Sequence, residues 1–118
     1  MIDRHHILFT RNHWTSTKEA KELRNSYVYR IDREIHDDIH KYCPPVPLLG
    51  YYALTSVLRN VKPTGEPIRD IDELSSAIEL STKHHRVHPI ERDLGELSIQ
   101  ALQLQSKFFT PVDRTIII

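Results

Sequence analysis

The chain has 118 residues, with 16 Lys and Arg balancing 16 Asp and Glu, 39% hydrophobic residues and a single cysteine, Cys43. This is an ordinary globular composition. It excludes a strongly basic nucleic-acid coat protein, a disulfide framework and a Cys-rich zinc finger. No apolar run approaches the roughly 18 residues of a membrane span, and Met1-Ile2-Asp3-Arg4-His5-His6 has no signal-peptide pattern, so a cytoplasmic protein with no membrane partner is expected.

Arg4 to Phe9 reads as a short strand. Thr10 to Thr17 is polar and reads as a loop. Ser16 followed three residues later by Glu19 could cap a helical turn running to Arg24. Tyr27-Val28-Tyr29-Arg30-Ile31 is β-branched and aromatic, a second strand. Asp32 is a good N-cap, and Ile35 and Ile39 give one apolar face to a helix over 33–42, ended by Pro44, Pro45 and Pro47.

The remainder reads as helical. Leu48–Asn60 is one candidate, and Lys62 to Pro67 is a turn-rich break. Asp70 and Glu73 resemble a capping box opening a helix to about His85, with Ile71, Leu74 and Ile78 on its apolar face. Pro89 suits the first turn of another helix. That helix carries a heptad-like stripe of Ile90, Leu94, Leu97, Ala101, Leu104 and Phe108, and Pro111 ends it. The stripe predicts either core packing on the 70–85 helix or a homodimer seam along 90–108. The expected organisation is α+β, with residues 1–45 as one motif and 46–118 as a helical extension in the same compact domain.

Eight histidines stand out. Histidine binds metals and moves protons near neutral pH. His36 and His40 lie four apart, so a helix presents both imidazoles on one face, where they could clamp a metal ion or simply be solvated beside Asp37, Asp38 and Lys41. His5 and His6 adjoin at a strand end, where one ring could bind metal while its neighbour faces a substrate. His84, His85 and His88 could form a second site, but Pro89 disrupts the shared helical face that 84 and 88 would need. Cys43 could be a ligand three residues past His40, or a buried thiol. Trp14 could stack on a base or fill the core.

Arg4-His5-His6-Ile7, followed by Val28 to His40, resembles the HNH (His-Me finger) nucleases, most nearly the colicin-type nuclease motif, over residues 4–43. The resemblance implies a ββα-metal fold of two strands and a helix around one divalent ion (Mg²⁺, Mn²⁺ or Zn²⁺, with Ni²⁺ also admitted). It implies His5, His36 and His40 as ligands and His6 as general base. It implies Asn25 as the family's middle asparagine, which fixes the loop bearing the base; the register counted from His36 would place it near Tyr27, and Asn12 is the weaker candidate. Metal-dependent endonuclease activity follows, on DNA more than RNA, with Arg4, Arg30 and Arg33 as phosphate contacts next to the site. The alternative is a non-catalytic binding protein on a degenerate HNH-like fold, in which the histidines hold a structural metal or none.

Overall fold

In chain order the elements are β1 (Ile2–His6), α1 (Lys18–Ser26), β2 (Val28–Asp32), α2 (Arg33–Tyr42), α3 (Pro67–Thr82) and α4 (Pro89–Ser106). The computed structural model describes residues 1–9, 18–47, 58–83 and 89–109. The expected helix over 48–60 falls almost wholly outside these residues, as do Trp14, Asn12 and the His84, His85 and His88 group. The fold class is α+β, with a small two-stranded sheet. No described helix is long and apolar enough to cross a membrane.

β1 and β2 pair antiparallel, with Asp3 opposite Ile31, Arg4 opposite Arg30, His5 opposite Tyr29 and His6 opposite Val28. The first strand begins and ends earlier than the sequence predicts. After His6 the apolar alternation breaks: Ile7, Leu8 and Phe9 are buried in succession, which a strand with one solvated face cannot do. The chain turns into the core there, tied back by the Ile7 N–H to the Tyr27 carbonyl at 3.2 Å. α1 is a full nine-residue helix rather than a single turn, anchored by buried Leu23.

α2 spans the predicted residues. Asp32 stands at the N-cap with extended backbone, but its side chain makes no capping hydrogen bond. The expected Ile35/Ile39 face is rotated: Ile39 is fully buried and Ile35 is exposed. The inward stripe is instead His36, Ile39, His40 and Cys43, the i, i+3, i+4, i+7 pattern of one helical face.

α3 starts at Pro67, so Asp70 is inside the helix and not its cap. Asp70 is fully buried. Its carboxylate accepts hydrogen bonds from the Thr64 N–H and hydroxyl, both 2.7 Å, from the Gly65 N–H at 3.2 Å, and from the Tyr29 hydroxyl. Burial pushes this carboxyl up, and the bonds from Tyr29, Thr64 and Gly65 outweigh it and hold it below its ordinary value. Gly65 takes φ 87° in the turn that delivers these donors, a conformation that costs glycine little. Asp70 thereby ties the hairpin to the helical extension. Ile71, Leu74 and Ile78 are buried as their spacing predicts.

α4 packs on α3, but not through the heptad-like stripe. Ile90, Leu97 and Leu104 are exposed (51%, 52% and 36%), whereas Ser98, Ala101, Leu102 and Gln105 are buried. The core face is thus turned to a stripe that contains two polar residues. Gly95 permits the close approach, since a β-carbon there would overlap the Thr82 γ-methyl. One hydrophobic cluster runs from Ile7, Tyr29 and Ile39 to Ile71, Leu74 and Leu102, so residues from both sides of position 45 share a core.

Candidate metal centre

Strand alternation sorts β1 into two faces. Asp3 and His5 turn inward toward α2, and Arg4 and His6 turn outward. His36 and His40, one turn apart on α2, meet His5 from above. The candidate ligand nitrogens of His5, His36 and His40 all lie within 4.8 Å of one another, the one such group among the described residues. The ring centroids are 5.2 Å apart for His5–His36, 5.4 Å for His5–His40 and 4.6 Å for His36–His40. These three histidines can hold a metal ion.

Hydrogen bonding decides which nitrogen each ring offers. Gln105 of α4 donates its amide Nε2–H to the Ile7 carbonyl at 2.9 Å, so its Oε1 is an acceptor toward His5 Nε2, 2.8 Å away. His5 therefore carries its proton on Nε2, leaving an Nδ1 lone pair that is buried with no hydrogen-bond partner. An orphaned buried acceptor is costly, and a metal ion is the partner its chemistry suits. His36 Nδ1 faces Asp3 Oδ2 at 3.2 Å, which places that proton on Nδ1 and the lone pair on Nε2. His36 Nε2 in turn lies 2.9 Å from His40 Nε2, a separation that needs a shared proton or a cation facing both. Metal-bound histidines characteristically donate their second N–H to a carboxylate or carbonyl oxygen. Asp3 and Gln105 supply those acceptors here.

Burial pushes the His5 imidazolium down to about 4, against a raising contribution from Gln105 and with His36, His40 and His6 lowering it further. His5 is thus neutral at neutral pH, as a ligand must be. The Arg33 and His36 hydrogen bonds hold the Asp3 carboxyl below its usual range. Arg33 reaches Asp3 through Nε at 3.3 Å and Nη2 at 3.4 Å, so its guanidinium is directed at the carboxylate behind the triad. Phe9 packs tilted against the His40 ring with centroids 4.5 Å apart, and Phe109 lies 6.3 Å from His5. These rings give the centre an apolar wall.

His6 sits on the outer face, half-buried, with the Asn25 side-chain oxygen at the end of α1 as the acceptor its ring N–H faces. Burial first, then the positive charge of Arg24, lower its pKa; the Asn25 bond opposes this, and Arg4 and His36 add to the lowering. Arg4 and Arg30 are exposed on the same outer face. Cys43 is buried and is not one of the clustered ligands; burial raises its thiol pKa, consistent with an inert core residue.

Two supporting residues escape sequence reasoning. Asp3 lies two before His5, so alternation alone places both on one face. Gln105 follows Leu104 and stands outside the heptad-like stripe. Its signal lay in Ser98, Ala101, Leu102 and Gln105 forming a second, mixed helical face. Comparison with protein-family models, with curated proteins and with solved structures finds no match to this chain.

Proposed function

We propose that the protein is a metal-dependent endonuclease built on an HNH-like ββα-metal motif, hydrolysing phosphodiester bonds in DNA more than RNA. The observation that carries this reading is one juxtaposition. Three imidazoles converge, one with an orphaned buried Nδ1, and the next residue on the strand, His6, is an imidazole that is not among them and is held by Asn25. The order strand, long connection, strand, helix supports the same reading.

His5 Nδ1, with Nε2 of His36 and of His40, would hold one divalent ion. Three neutral imidazoles suit Zn²⁺ or Ni²⁺ better than Mg²⁺, which prefers oxygen donors. When bound, the ion supplies Lewis-acid stabilisation of the transition-state charge and of the leaving 3′ oxygen. Asp3 and Gln105 fix the tautomers of His36 and His5. As the last residue of β1, where the chain turns into the core, His6 would take the proton from the attacking water, and its lowered pKa keeps it neutral for that role. Asn25 holds the His6 ring in orientation through one nitrogen and leaves the other for the transfer. Activity falls on acidification, as His6 protonates.

The test is incubation of the purified protein with plasmid DNA, single-stranded DNA and RNA, with each of Mg²⁺, Mn²⁺, Zn²⁺ and Ni²⁺ and with EDTA. Cleavage should require metal, and His6→Ala should be slower by roughly 10²–10⁴ with metal affinity retained. Stoichiometric metal binding with no cleavage of any substrate would refute the enzyme and leave a binding protein with a structural metal. Full activity in His6→Ala would remove the base assignment.

A further inference from the structure

A small cleft lies between α1 and the chain at 59–63, with no histidine of the triad in its lining, and it encloses about 150 Å³. Its floor is part of the core. Tyr27 is fully buried and Leu23 nearly so, and the Tyr27 hydroxyl donates to the Val61 carbonyl at 3.2 Å. That bond ties one wall to the other. The turn carrying Val61 is itself closed by the Val61 N–H on the Leu58 carbonyl at 3.1 Å. The walls are thus set before any ligand arrives, which lowers the ordering cost of binding.

The rim is charged. Glu19 and Glu22 stand three apart on α1, neighbours on the helix surface. Arg59 lines the same cleft from the other wall. Among the described residues none of these three charges forms an ion pair, with each other or with any other group. Opposite charges therefore line one small cleft without closing on each other. Two carboxylates against one guanidinium leave the lining one negative charge in excess, and no other charged side chain among the described residues lines it. The space equals about five water molecules at roughly 30 Å³ each, well short of the roughly 300–1,000 Å³ of pockets for drug-sized ligands. A ligand that suits it is small, carries one net positive charge, and presents both signs.

We propose that this cleft binds a free basic α-amino acid of the ornithine or lysine class. The ligand's carboxylate pairs with the Arg59 guanidinium, whose fork matches it in bidentate geometry. Its two ammonium groups meet the Glu19 and Glu22 carboxylates, and its methylene stem lies along Leu23 and Val61. A neutral zwitterion leaves one carboxylate unpaired, and a diamine brings positive charge beside Arg59. The site is separate from the metal centre, so the proposal does not rest on the nuclease reading.

The experiment titrates the full chain, followed by proton–nitrogen correlation spectra, with L-ornithine, with L-norvaline, which lacks the side-chain ammonium, and with putrescine, which lacks the carboxylate. Ornithine should give saturable shifts confined to α1 and residues 58–63, and the other two should bind about tenfold more weakly, one charge-assisted contact being lost in each. Arg59→Gln, Glu19→Gln and Glu22→Gln should each weaken ornithine about tenfold, whereas Glu34→Gln on α2 should not. Arg59→Gln should leave putrescine binding no weaker than wild type, and zinc affinity should be the same in all four variants. The absence of saturable shifts with ornithine would overturn the proposal, as would wild-type affinity for ornithine in folded Arg59→Gln. Norvaline or putrescine binding as tightly as ornithine would overturn it as well.

Discussion

Replacing Gln105 with leucine removes both ends of a buried clasp between α4 and the metal centre. The His5 Nε2–H loses its acceptor at 2.8 Å, and the Ile7 carbonyl loses its donor at 2.9 Å. Gln105, His5 and Ile7 are all fully buried, so water cannot replace either partner. Each orphaned group costs about 1–3 kcal/mol, and the leucine side chain recovers part of this by apolar burial. A net loss of roughly 2–4 kcal/mol is expected, a large share of the 5–15 kcal/mol typical of a domain. A second consequence is independent of stability. Without Gln105 the His5 proton is no longer pinned to Nε2, so the ligand lone pair on Nδ1 is no longer preset, and metal affinity should fall about 10–100-fold. Urea unfolding in EDTA reads the first effect, and competitive zinc titration of the folded variant reads the second. Stability within about 0.5 kcal/mol of wild type, together with unchanged zinc affinity, would refute the claim that α4 is part of the site.

Three further outcomes follow from the same structure. His5 titrates near 4 when folded against 6.5 as a free imidazole, so between those values the unfolded chain binds a proton that the folded chain does not. Stability of the metal-free protein should be full above about pH 6.5 and fall by roughly 3 kcal/mol toward pH 4, levelling below it; His6, also lowered, acts in the same direction. Denaturant unfolding in EDTA that is flat across that window would contradict the buried neutral His5. Gly95→Ala should destabilise by about 1–3 kcal/mol despite alanine's better helix propensity, because the new methyl overlaps Thr82 and presses on Ile78 Cγ2 at 3.3 Å; an increased melting temperature would refute the close α3–α4 approach. Ile90, Leu97 and Leu104, exposed at seven-residue intervals, should be covered by a second copy of the chain, so sedimentation should give a dimer that Leu97→Glu dissociates, and a monomeric wild type would refute the seam.

Local signals made the first half readable. β-branched and aromatic residues marked β2, and Asp32 with the prolines after Cys43 bracketed α2 at the residues the structure shows. The adjacency of His5 and His6 and the His36/His40 spacing picked out the residues that gather in space. Tertiary burial was less readable. Asp70 followed by Glu73 looks like a helix start, yet the helix begins at Pro67 and Asp70 is a buried acceptor for four donors, three of them in a turn before it. α4 carries a wholly apolar heptad-like stripe beside a mixed face of Ser98, Ala101, Leu102 and Gln105, and periodicity selects the apolar one. The fold selected the one that brings Gln105 to His5, a contact 100 residues apart in sequence that no local pattern encodes.

His5, His36 and His40 should bind one divalent ion in a site with an open position. Zinc K-edge absorption on the zinc-loaded protein, with the bound metal counted, tests this most directly. One zinc per chain is expected, with three imidazole nitrogens at about 2.0–2.1 Å and a lighter oxygen ligand completing the shell, binding being lost in His36→Ala and retained in His6→Ala. A zinc shell of four protein ligands, or a spectrum and stoichiometry unchanged in His36→Ala, would contradict it.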